Sequence, residues 1–217
     1  MTTDCRTIYV DLDDVLCQAA RHFLVVVERE FGKRIAYEQL TNFDVGHSCG
    51  LAADDCDELY RIVHRPDELL RMTPVNEAIA VLKQWEEQGF DIAIVTGRPP
   101  ESVEVSLAWL AKHRISHGSF TVVDKYSRFT TDNTNAITLT ELSTRRFCWA
   151  VEDSLPMAHF LADEMRVPVA LIDRPWNQSD GEHFRIGRYR DWHAISAAAP
   201  ALIALNGGRY EAYDRNY

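Results

Sequence analysis

Short apolar runs in this chain repeatedly stop in the same kind of residue. Tyr9-Val10 runs into Asp11-Leu12-Asp13-Asp14. Ile92-Ala93-Ile94-Val95 ends in Thr96-Gly97-Arg98-Pro99, and Phe147-Cys148-Trp149-Ala150-Val151 ends in Glu152-Asp153-Ser154. Runs of this length with no polar alternation are the signature of strands buried on both faces, which belong to parallel sheets. In open α/β sheets the ligand site lies beyond the carboxyl ends of the strands. Three such endings therefore constrain fold and site together.

The intervening sequence supplies the helices. Ala20, Phe23, Leu24, Val27 and Phe31 recur at helical spacing before Gly32 stops the pattern. Thr73-Pro74 reads as a cap with proline at N1, followed by the stripe Val75, Ala78, Ile79, Leu82 and Trp85 up to Gly89. Strands are expected at 7–11, 90–95, 120–123, 147–151 and 167–172. Helices are expected through Val105, Trp109 and Leu110, at Ile137–Leu142 and from Leu155 to Met165. This βαβα order implies a doubly wound parallel sheet with helices on both faces. Between Gly32 and Met72 only short helical patches appear, so residues 18–72 read as a small helical cap inserted into a core of residues 1–17 and 73–205. A last helix carries Trp192, Ile195, Leu202 and Ile203, and Pro200 is expected to kink or split it. The tail 206–217 reads as frayed, or as a tether to a second copy, which is compatible with a homodimer.

A length of 217 residues with 46% hydrophobic residues suits one core with an insert. The net charge of −10 argues against stable binding to a nucleic-acid polymer or an anionic membrane, both of which want a basic footprint. Five scattered cysteines, an odd number, read as reduced thiols in a cytoplasmic protein. His47, Cys49, Cys56 and His64 match no common zinc spacing. No signal peptide is expected, and no apolar run approaches the ~20 residues of a membrane span.

The acidic ending is chemically suggestive. Two carboxylates at i and i+2 on an extended chain share one face, and clustered carboxylates repel unless a cation lies between them. Thr96 and Gly97 offer a hydroxyl and an unobstructed backbone N–H to phosphate oxygens. Only four lysines are present, and Lys125 alone follows the end of an expected strand.

Asp11-x-Asp13, Thr96, Lys125 and Glu152-Asp153 resemble the four motifs of the haloacid dehalogenase superfamily, in its phosphatase branch. The spacing is most similar to the 5′(3′)-deoxyribonucleotidase-type group and its bacterial nucleotidase relatives, which the segment Asp173-Arg174-Pro175-Trp176-Asn177 also resembles. The resemblance covers roughly residues 7 to 177. It implies Asp11 as nucleophile and Asp13 as general acid and base, with Thr96, Gly97 and Lys125 on the phosphate. Mg²⁺ would be held by Asp11, the backbone carbonyl of Asp13 and Asp153, with Glu152 behind them. Arg128, Arg145 and Arg146 are the alternatives to Lys125. Arg98 either touches substrate or pairs with an acid at the rim.

Two departures stand out. Asp14 occupies a position where relatives usually have glycine, adding negative charge beside the nucleophile. Ala19 stands where the deoxyribonucleotidases usually place an aromatic against the base; His22, Phe23, Phe43 and Trp176 are the candidates to replace it. The expected activity is Mg²⁺-dependent hydrolysis of a small phosphomonoester, with a nucleoside monophosphate as the leading substrate. The alternatives are a sugar phosphate, a polynucleotide 3′-phosphate, or a phosphate-binding module without catalysis.

Overall fold

In the computed structural model, which describes residues 5–129, 135–178 and 181–207, seven strands form a single sheet. The strands are β1 Thr7–Val10, β2 Asp91–Thr96, β3 Ser119–Val123, β4 Ala136–Ile137, β5 Trp149–Glu152, β6 Val169–Ile172 and β7 Ile186–Tyr189. Their order is β4-β3-β2-β1-β5-β6-β7, and every pairing is parallel. β1 lies at the centre, with Val10 opposite Ile94 on one side and Val151 on the other. The chain therefore reverses its winding direction at β1, and Asp11 leaves the sheet at the switch point.

Between β1 and β2 the chain first builds four short helices: α1 Ala19–Phe31, α2 Val45–Ser48, α3 Ala53–Val63 and α4 Pro66–Arg71. α1 ends where Gly32 turns left-handed at φ 64° and donates its N–H to Glu28. Val26 and Val27 of α1 bury against Leu40, Val45, Leu59, Ile62 and Val63, giving this segment a small apolar core of its own. The strands leading in and out lie side by side. Gln18 N–H donates to Thr73, Val75 N–H donates to Leu16, and Cys17 bridges Pro74.

The remaining helices cover the two faces of the sheet: α5 Asn76–Glu87, α6 Val103–Lys112, α7 Leu139–Leu142, α8 Leu155–His159 and α9 Trp192–Gly207. Alternation along β1 decides which face each side chain meets. Ile8 and Val10 join the core that holds Trp85 of α5, Trp109 of α6 and Trp192 of α9. Tyr9 points the other way, among Leu142, Met157 and Leu161. The indole of Trp85 meets Trp149 edge-on at 4.5 Å. Burying four tryptophans on one face removes a large apolar area from water, at roughly 25 cal/mol per Å².

Several local expectations are corrected. α5 begins at Asn76, because Pro74 and Thr73 are used in the pairing with Cys17 and Gln18. Ile137 lies in β4, and the helix starts after it, where Thr138 and Glu141 form a capping box. β7 was not anticipated; its sequence Ile-Gly-Arg-Tyr is only half-buried, as befits a sheet edge. α9 passes through Pro200 without being split. The helix beginning at Leu155 widens into a π turn at Phe160–Glu164. The expected tail lies outside the described residues from 208 onward.

Candidate active site

The carboxyl ends of β1, β3 and β5 deliver Asp11, Lys125 and Asp153 to one cavity, and Gly97, just beyond β2, joins them. Thr96 is buried outside its wall, its hydroxyl accepting the N–H of Arg98 at 3.2 Å. Lys125 is the hub. Its Nζ lies 2.6 Å from Asp11 Oδ1 and 2.6 Å from Glu152 Oε1. Gly97 makes room for it, since a Cβ there would stand 3.3 Å from Lys125 Cδ. Burial works against the ammonium, but the carboxylates of Asp11 and Glu152 outweigh it and keep Lys125 protonated well above its usual range.

Glu152 is fully committed. Oε1 also accepts from the Tyr9 hydroxyl at 3.1 Å, while Oε2 accepts the backbone N–H groups of Asp153 and Ser154. A metal could use Glu152 only by displacing these bonds, so this residue anchors the site from behind. Asp153 is different. Trp176 donates its indole N–H to Oδ2 at 2.9 Å, and Asn177 holds the Asp153 backbone carbonyl. Among the described residues nothing cationic bonds to its carboxylate, and burial, followed by the charges of Glu152 and Asp11, pushes its pKa well up.

Asp11 feels the same pressure. Burial pushes it up to about 8 against the pull of Lys125, with Glu152 and Asp13 adding to the rise. One oxygen of each of Asp11, Glu152 and Asp153 lies within 4.8 Å of the others. Three buried carboxylates against one lysine leave excess negative charge in a poor dielectric. A hard divalent cation bound by Asp11 and Asp153 relieves it, so these donors fit Mg²⁺.

Arg98 does not sit at the rim. It is 2% exposed, and its guanidinium grips the Asp13 carboxylate from 2.6 to 3.1 Å while Nη1 donates to Ser106. Nη2 also reaches the sulfurs of Cys17 and Met72. Burial raises the Asp13 carboxyl, but Arg98 more than reverses this and holds it below the usual range. Of its two expected roles, the pairing with an acid is the one seen, and the acid is Asp13 itself.

Asp14 has φ 56°, a backbone that glycine adopts without strain. Both of its carboxylate oxygens accept the N–H of Ala20, so its charge is spent on the start of α1. Arg174 clasps its carbonyl oxygen. Among the alternatives to Lys125, Arg145 bonds to Thr121, whereas Arg128 lines the cavity.

Above these groups lies a cavity of about 530 Å³ between the sheet and the helical segment. Phe23, Phe43, Tyr60 and His64 come from the helices; Tyr126, Arg128 and Trp176 come from the core. Ala19 is in the wall as well. Phe43 and Tyr126 meet at 5.3 Å across the boundary. His64 donates its Nδ1–H to the Tyr60 carbonyl, and burial drops its pKa to about 4, leaving it neutral. His47, Cys49, Cys56 and His64 form no ligand cluster among the described residues.

The sequence profile of the family described as 5′ nucleotidase, deoxy (pyrimidine), cytosolic type C matches residues 5–148. The chain belongs to this 5′ nucleotidase family. It is a phosphatase of the haloacid dehalogenase superfamily. A relative from Halalkalibacterium halodurans, named as a candidate nucleotidase, is 20% identical over 171 residues, covering 78% of this chain and 80% of the relative. A second of the same description, from Bacillus cereus, is 20% identical over 84% of this chain and 92% of its own length. Among solved structures, protein tyrosine kinase A of Mycobacterium tuberculosis superposes with a TM-score of 0.62 at 12% identity, over 92% of this chain and 99% of that one. That likeness is one of fold. The 5′ nucleotidase match ends at Cys148, before Asp153 and the Trp176-Asn177 brace. Tyr9, Trp176 and Asn177 are the site residues to which sequence reading gave no supporting role. The Asp173–Asn177 segment is the sequence signal for Trp176 and Asn177; Tyr9 has none.

Proposed function

We propose that this 5′ nucleotidase family member is a cytoplasmic, Mg²⁺-dependent enzyme that hydrolyses nucleoside monophosphates through an aspartyl-phosphate on Asp11. The observation that carries the reading is the contact between Lys125 Nζ and Asp11 Oδ1 at the floor of the cavity. A cation beside the carboxylate that would attack supports the reading, because the transferred phosphoryl oxygens would bring negative charge to the same spot.

Asp11, the carbonyl of Asp13 and Asp153 would hold Mg²⁺, which would neutralise phosphoryl charge when bound. Thr96, Gly97 and Lys125 would bind the phosphoryl oxygens. Asp11 attacks phosphorus and the bond to the leaving alcohol breaks. Asp13, ionised in the arrangement described, gives that oxygen a proton it takes up from solvent as the anionic substrate adds negative charge beside it. Asp13 then takes a proton from water as the water attacks phosphorus, freeing Asp11 and inorganic phosphate. In the arrangement described, Arg98 favours the ionised Asp13 required for this second half. Residues 18–72 act as a cap whose side chains meet only the leaving group. No helix among the described residues is long and apolar enough to cross a membrane.

Trp176 is held by Asp153 and meets Tyr37 edge-on at 5.7 Å, so Phe43 with Tyr126 is the better platform for a base. The test is a panel of nucleoside monophosphates, sugar phosphates, a 3′-phosphorylated oligonucleotide and phenyl phosphate with Mg²⁺. The highest kcat/KM is expected on a nucleotide. Sugar phosphates or the oligonucleotide hydrolysed far better than any nucleotide would overturn the substrate, and turnover of phenyl phosphate would show that the chemistry stands regardless.

A further inference from the structure

Three side chains in the cavity wall carry a full positive charge: Arg98, Lys125 and Arg128. The first is spent on Asp13 and the second on Asp11 and Glu152. Arg128 has no ion pair among the described residues. Its guanidinium carbon lies 5.4 Å from the ring centre of Tyr60 and 5.3 Å from that of Tyr126, one ring from each side of the cavity. Aromatic faces attract a guanidinium and limit its motion without neutralising it.

The backbone beneath Arg128 is fastened too. Asp124 accepts the N–H of Arg128 at 2.8 Å through one carboxylate oxygen and that of Phe129 through the other. A second polar group lies in the wall beside Arg128: the Tyr60 hydroxyl, whose oxygen feels the Arg128 guanidinium, is enclosed and reaches no acceptor within hydrogen-bond distance among the described residues. Enclosing a hydroxyl without a partner costs roughly 1–3 kcal/mol, a cost a ligand acceptor would remove.

We propose that Arg128 and the Tyr60 hydroxyl bind a second anionic group on the leaving portion of the substrate. Preferred substrates are then phosphomonoesters whose alcohol also carries a carboxylate or another phosphate. The inference rests on the phosphatase chemistry proposed above and moves the preferred substrate from a nucleoside monophosphate to a phosphomonoester, nucleotide or other, that bears a second anion. The reacting phosphate has its own cation in Lys125, so a further cation in the wall serves a different charge.

The test compares substrates that differ only in the second charge. One pair is phenyl phosphate and 4-carboxyphenyl phosphate; the other is a nucleoside 5′-monophosphate and its 3′,5′-bisphosphate. In the wild-type protein the doubly anionic member of at least one pair should have the higher kcat/KM, by about 10-fold or more. The pair that shows it distinguishes carboxylate from phosphate. Arg128→Gln should collapse that ratio toward one, Arg128→Lys should restore part of it, and Tyr60→Phe should lower it by a smaller factor. Thermal melting of each variant checks the fold. Ratios near one in both pairs, or a ratio untouched by Arg128→Gln in a folded variant, would overturn the proposal. Phenyl phosphate reports on the chemistry independently, so failure of the phosphatase reading would appear as loss of turnover in every arm.

Discussion

Arg98 holds Asp13 by both carboxylate oxygens: Nε lies 3.1 Å from Oδ1 and 2.9 Å from Oδ2, while Nη2 lies 2.6 Å from Oδ1. The two residues stand 85 positions apart and meet because β1 and β2 are neighbours in register. A planar fork fixes a carboxylate in a way that a lysine point charge does not.

Arg98→Lys should therefore keep the charge but lose the orientation of Asp13. Steady-state kinetics on an aryl phosphate should show kcat lowered, approaching the roughly 10²–10⁴-fold that acid–base help contributes. An unchanged kcat would mean that the clamp does not position the acid.

Asp11→Asn should abolish turnover while leaving the melting transition in place, because Lys125 keeps Glu152 as its partner. Phosphate release from an aryl phosphate is the measurement, and near-normal release would sink the nucleophile assignment.

Chelation should stop activity, Mg²⁺ should restore it, and Ca²⁺ should inhibit, since its larger and looser shell misplaces the phosphate. Trp176→Phe removes the N–H that steadies Asp153. Calorimetric titration should show Mg²⁺ binding weakened by about 10-fold or more, as for other residues that orient metal ligands. Equal affinity in the variant would place Trp176 outside the metal's support.

Glu68 ties the helical segment together. Its nearly buried carboxylate receives His22 from α1, Arg29 from α1 and Arg71 from α4. Burial raises its pKa, but the bonds from Arg29 and His22 prevail and hold it below the usual glutamate range. A depressed carboxyl contributes stability that is present above about pH 4.5 and disappears as pH falls through the lower folded value. Glu68→Gln should cost on the order of 1–3 kcal/mol at neutral pH. The difference from wild type should shrink in melts below pH 4. A difference that stays constant down to pH 3 would contradict the assignment.

How much of this was legible depended on what each residue answers to. Strands buried on both faces announce themselves in runs such as Ile92–Val95, so the sheet and the acidic residues at its ends could be read directly. Lys125 was legible because a scarce residue type fell at a strand end. β7 was not, since a half-buried edge strand has no apolar run to show. Pro74 misled because its place was set by a partner 57 positions away, at Cys17. Arg98 was left between two roles because sequence spacing gives the position of a guanidinium and not its direction. The brace from Trp176 and Asn177 to Asp153 is likewise a tertiary contact, and nothing local encodes it.

The paired linkers at Cys17 and Pro74 have an evolutionary consequence. An excursion of more than fifty residues enters and leaves the sheet through neighbouring backbone positions, joined by their own hydrogen bonds. The central strand therefore experiences the excursion as if it were a tight turn. Lengthening, shortening or exchanging it need not shift the register of β1 against β2, nor the meeting of Asp11 with Lys125. Descendants of such a protein are free to acquire new tastes in alcohols while inheriting the same way of breaking the phosphorus–oxygen bond.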